Sequence, residues 1–173
     1  MSTTDNLGMT LIEGSDYITP DTINDNFEIV DALGKDYVKN CGTTSAGWWW
    51  RKWASGRMEC GIDYYSFGNV AVELYMPKAK SSGVSTTNGL YQSTEILSFG
   101  SYPKSFSKNP FVVISPRNGT ASDGNTKAMQ AHIRPKSSTT TSPGFRLRFW
   151  SDSGTLLKTM KDFYAAIYVC GSY

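Results

Sequence analysis

The stretch best equipped to recognise another molecule is Gly47–Ile62, GWWWRKWASGRMECGI, which holds four of the chain's five tryptophans. Aromatic ring faces match the apolar C–H face of a pyranose, and a nearby arginine or glutamate can bind its hydroxyls. Trp49, Arg51, Trp53 and Arg57 are candidate ligand contacts on that ground, joined by Tyr91 from a later Ser/Thr-rich stretch. The same residues fit a structural stack, which is the simpler reading. Arg51 then lies flat between two indoles and pairs with Glu59 across the strands. The sequence leaves both readings open.

Catalytic arrangements are sparse. A glycosidase needs two carboxylates about 5–10 Å apart. Glu59 and Asp63, four positions apart on one strand face, stand about 13 Å apart at about 3.3 Å per residue. Glu73 and Glu95 are the acids that a fold could bring nearer. The single histidine, His132, lies in an alternating apolar stretch without a serine or cysteine nucleophile context, and reads as structural. There is no phosphate loop or dinucleotide fingerprint. Cys41, Cys60 and Cys170 are odd in number and widely spaced, fitting neither a disulfide framework nor zinc ligation, so buried free thiols are expected. The expectation is a non-enzyme with no cofactor and no metal.

To meet on one face, the tryptophans need a hairpin. Ala54-Ser55-Gly56 suits a three-residue loop, with Gly56 in the left-handed position. Pairing outward sets Trp53 against Arg57, Arg51 against Glu59 and Trp50 against Cys60. Alternation then puts Trp48, Trp50, Met58, Cys60 and Ile62 on a core face. Trp49, Arg51, Trp53, Arg57 and Glu59 share the other.

Period-two patterns continue. Val70–Met76 alternates and is expected to end at Pro77, with Lys78–Tyr91 a loop and Glu95–Phe99 a short strand. Phe111–Ser115, Ala128–Ile133, Phe145–Trp150, Thr155–Lys158 and Phe163–Cys170 complete the set, and Lys136–Pro143 is expected to be a flexible loop. Short strands at regular spacing, with 13% aromatics and 16 glycines, predict an all-β protein, an antiparallel β-sandwich over residues 37–173.

Residues 1–36 differ. They carry eight acids against Lys35, a net −7, while the remainder carries sixteen bases and seven acids, a net +9. After an extended arm, Thr19-Pro20 is a helix start, and Ile23, Phe27, Val30 and Leu33 follow at helical spacing before Gly34. A single apolar stripe on a short acidic helix needs a partner. It packs on its own domain or on identical helices about a symmetry axis, and the second makes these four residues the trimerisation contacts. No apolar run is long enough for a membrane span and the start lacks the features of a signal peptide, so folding in a cytoplasm without membrane insertion is expected. Dispersed lysines argue against nucleic-acid binding. A basic distal part suits an anionic surface such as teichoic acid or lipopolysaccharide.

Three stretches resemble known families. The order Trp50-Arg51-Lys52-Trp53-Ala54-Ser55-Gly56-Arg57-Met58-Glu59 is similar to a motif of bacteriophage and prophage tail-fibre and baseplate proteins, whose more usual form has tyrosine at Trp50 and a second aromatic beyond Glu59, where Cys60-Gly61 departs from it. Thr22–Leu33 resembles the N-terminal segment of many phage tail proteins, which leads from the particle attachment into the distal domain. Tyr102–Phe106 with Asn109–Ser115 resembles a segment of H-type lectins, which are six-stranded trimeric sandwiches that bind sugars; no lectin binding residue carries across. These resemblances imply a receptor-binding tail component, made in a bacterial cytoplasm and located in the virion. Residues 1–36 would attach and trimerise it beside other tail or baseplate proteins, and the distal domain would contact host polysaccharide. A ligand-free baseplate or decoration protein and a cell-wall polysaccharide-degrading enzyme are the alternatives.

Overall fold

The computed structural model describes residues 36–134 and 138–173, together with β1 (Ser2–Thr3) paired antiparallel to β2 (Thr10–Leu11). The helix expected over residues 20–33, with Ile23, Phe27, Val30 and Leu33, lies outside the described residues.

Everything else regular in the described residues is strand: β3 (Val38–Thr43), β4 (Trp49–Trp53), β5 (Arg57–Lys80), β6 (Gly83–Ser93), β7 (Phe111–Ala121), β8 (Met129–Ile133), β9 (Phe145–Ser151) and β10 (Thr159–Ser172). All pair antiparallel. In one half the order is β3-β4-β5-β10-β7, and in the other β5-β6-β9-β8.

The all-β antiparallel prediction holds, but the two separate sheets of a sandwich do not form. One eight-stranded sheet curls on itself instead, because the 24-residue β5 belongs to both halves. Its first part pairs with β4 and β10 and its last part, from Val72, with β6. The bend is built where β5 meets β10. The register between them slips repeatedly from Met160 to Ile167, Gly68 has φ 63° and Asp162, opposite the same region, has φ 49°. Extra residues on one strand sharpen its bend and twist.

Curling gives one concave face, and the apolar residues line it. Met58, Cys60, Phe145, Leu147, Met160, Phe163 and Val169 are fully buried there. Phe67 of β5 stacks on Phe163 of β10 at 5.5 Å and meets Phe145 of β9 edge-on at 5.6 Å, which joins the halves. Residues 94–110 form no strand but bury Phe99, Tyr102 and Phe106 in the same core. Glu95–Phe99 contributes only an isolated bridge between Leu97 and Phe145. Tyr102 packs edge-on to Trp48 at 5.8 Å and to Phe106 at 5.2 Å.

Three further expectations change. Pro77 does not end its strand, since β5 runs on to Lys80. There β5 has left β10 and pairs with β6 alone, and a missing N–H is tolerated on such an edge. Residues 78–91 are not a loop either, because β6 turns back after Ser81-Ser82 and Lys80 pairs with Gly83. The third strand boundary moves as well: Thr155–Lys158 precedes β10 rather than forming a strand of its own.

Candidate functional site

The hairpin of β4 and β5 forms in the expected register, with Trp50 opposite Cys60 and Arg51 opposite Glu59. Gly56 closes it at φ 83°, and its N–H donates to the Trp53 carbonyl at 3.1 Å. The tip is clamped from outside. Tyr173 donates its N–H to the Gly56 carbonyl and its hydroxyl to the Trp53 carbonyl, while Ser55 donates to Asp36 at 2.6 Å. Lys52 lies 3.9 Å from the centre of the Tyr173 ring.

The inner face is core, as its alternation predicts: Trp48, Met58, Cys60 and Ile62 are buried and Trp50 packs partly against them. Burial pushes the Cys60 thiol up to about 12, which removes it as a nucleophile. All three cysteines are free, but only Cys60 is buried. Cys41 is exposed on β3, an edge strand whose outer side has no partner among the described residues, and Cys170 is half-buried.

On the outer face the structure brings together Trp49, Arg51, Trp53 and Arg57. The Arg51 guanidinium lies 5.3 Å from the Trp49 ring and 5.6 Å from the Trp53 ring. Glu59 sits beneath as the common acceptor, paired with Arg51 at 3.1 Å and Arg57 at 2.8 Å. Tyr168 of β10 completes the cluster, donating to Glu59 at 2.9 Å and accepting from Arg57 at 3.4 Å. Burial and then the Glu59 carboxylate push the Tyr168 phenol up, while Tyr168 and Glu59 together hold Arg57 protonated. Glu59 is only 7% exposed and Arg51 44% exposed at its side chain, so the carboxylate is an anchor and the guanidinium a surface group.

Trp49 owes its seat to a departure from the resembled motif. It lies opposite Gly61, where a Cβ would stand 2.7 Å from the indole and 2.6 Å from the Ile167 carbonyl. A bare backbone there lets the ring settle onto β5 and β10, with its N–H on Asp63 at 3.2 Å and Tyr168 at 6.2 Å between ring centres. The Trp53 indole nitrogen is shut off from solvent and has no described acceptor.

Tyr91 is elsewhere. Its ring is fully buried and stacked on Phe149 at 5.5 Å, and its hydroxyl donates to the Thr87 carbonyl at 2.6 Å while accepting from the Leu157 N–H at 3.2 Å. The expected exposed ring is therefore a core residue that ties β6 to the segment preceding β10. Tyr168 is the site residue that sequence reasoning passed over, and Asp63, weighed there only as a catalytic carboxylate, serves as the acceptor for Trp49. Tyr168 was hidden in an apolar run, and only its phenol at an outward position marked it.

His132 is exposed on β8 opposite Arg146. Among the described residues, no group of three or more histidine, cysteine or acidic side chains could hold a metal.

No protein-family model and no curated protein matches the chain. Among solved structures it is similar to an N-truncated R1-type pyocin tail fiber, at a TM-score of 0.40 and 12% identity over 92% of this chain and 99% of that one. At that distance the likeness carries no weight, and the functional reading rests on the hairpin itself.

Proposed function

We propose that the protein is a tail-associated component of phage-fibre type whose distal domain contacts a host cell-surface glycan through the outer face of the β4–β5 hairpin. One observation carries this reading: the row Trp49-Arg51-Trp53 is held rigid from beneath by Glu59 and Tyr168, and Arg51 remains open to solvent. Locking an aromatic–arginine row before a ligand arrives removes the ordering cost of binding. Half-exposed indole faces offer the stacking surface, and Arg51 and Arg57 offer donors for hydroxyls or for anionic groups of the host polysaccharide. Residues 1–36 serve attachment to other tail or baseplate proteins and assembly as a homotrimer.

The test compares host-cell and glycan-array binding of the wild type with Trp49→Ala and Trp53→Ala, each first checked for an intact fold. Loss of binding in a folded variant supports the site. Undiminished binding in both overturns it. A ligand-free baseplate or decoration protein is favoured by a single observation, that Arg51, Arg57 and Glu59 already satisfy one another.

A further inference from the structure

The other half of the sheet carries a second recognition feature, independent of the hairpin. Where β9 runs between β6 and β8, a groove of about 330 Å³ is lined by Leu90, Met129, Gln130, Arg148 and Trp150. Its volume lies at the low end for small-molecule sites. Strand register builds it. Gln92 and Gln130 flank Arg148 on the two neighbouring strands, and Leu90 stands opposite Trp150.

Two side chains there have the chemistry of a recognition site. The Arg148 guanidinium lies over the Tyr75 ring at 4.8 Å, yet its Nε is shut off from solvent and has no acceptor among the described residues. None of the described ion pairs includes it. The nearest acid in the same cross-strand row, Glu73, is engaged by the Gln92 amide at 2.9 Å. Arg148 also lines the groove, and a guanidinium outside the described ion pairs takes a planar carboxylate on its open edge through two parallel hydrogen bonds. Trp150 is the second. The residue is 49% exposed, and its indole N–H is fixed on Asp152 at 2.8 Å, which Lys78 holds in turn at 3.1 Å. An indole tethered at its polar edge presents an apolar face to solvent in one orientation.

We infer that this groove binds an acidic saccharide, a pyranose bearing a carboxylate. The sugar's C–H face lies on Trp150, its carboxylate on Arg148, and Gln130 reaches its hydroxyls.

The experiment titrates the full chain with a panel of glucuronate, galacturonate and mannuronate oligosaccharides, each beside its methyl ester, by calorimetry. Esterification removes the charge and keeps the ring. At least one acid form is expected to bind, its ester about tenfold or more weaker. Trp150→Ala, at an exposed position, and Arg148→Met are each expected to abolish that binding with unchanged circular dichroism. Binding lost in Trp49→Ala or Trp53→Ala but kept in Trp150→Ala and Arg148→Met belongs to the hairpin and overturns the groove, so the two sites fail or stand separately. No binding by any acid form in the millimolar range overturns the inference. So does equal affinity for acid and ester, or retention of wild-type affinity by either folded groove variant.

Discussion

Glu59 is the residue on which the outer hairpin face depends. It is a nearly buried carboxylate with three donors, Arg51, Arg57 and Tyr168. Removing its charge while keeping its shape leaves two guanidiniums without a counterion. Glu59→Gln is expected to cost about 1–3 kcal/mol in urea unfolding. It should also release Arg51 from between the indoles, seen as a change in tryptophan emission. Gly61 makes the complementary case. Gly61→Ala places a methyl against the Ile167 carbonyl and the Trp49 ring, so a loss of about 1–3 kcal/mol is expected, with the strain concentrated at Trp49. The pairing of Arg51 with Glu59 was legible because turn and alternation fix it locally. The seat of Trp49 was not, because it depends on β10, which is remote in sequence.

Elements were readable where each turn and each face announced itself. The hairpin around Gly56 did both, and Gly56→Val is expected to lower the melting temperature by forcing a β-branched residue to φ 83°, at a cost of about 1–3 kcal/mol. β6 did neither. Its inward position Ser85 is buried but polar, satisfied by the N–H groups of Thr87 and Asn88, so its residues look like a loop until a partner strand covers them. Arg148, Gln130 and Trp150 were likewise visible singly but not as a groove, since three strands bring them together. The turn between β7 and β8 is held by Asp123, whose side chain is 6% exposed and accepts from Lys127 at 2.7 Å and from the Asn125 N–H at 3.1 Å. Burial alone would raise its pKa, but hydrogen bonds from Lys127, Asn125 and Ser153 outweigh it and bring it down to about 2. A folded-state pKa below the unfolded value of about 4 stabilises the protein above pH 4, and that contribution is lost as pH falls toward 2. Melting temperatures measured across this window should drop for the wild type and stay flatter for Asp123→Asn.

At the scale of the whole molecule, the charge division between residues 1–36 and the rest predicts separable roles. Light scattering is expected to report a trimer at micromolar concentration. Deleting residues 1–36 should leave a folded sheet with weakened assembly, and a monomeric full chain would overturn this. The curled sheet has a consequence for how the protein comes into being. β5 runs through both halves, yet along its first half one flank is closed only by β10, about 90 or more residues further along the chain, with Arg57 opposite Ser172. During synthesis the β4–β5 hairpin emerges early and waits, its open side presenting unsatisfied amides and the apolar residues Met58, Cys60 and Ile62. Such an intermediate invites intermolecular strand pairing. Nascent chains stalled before residue 159 should therefore aggregate or hold chaperones, and emergence of β10 should relieve both.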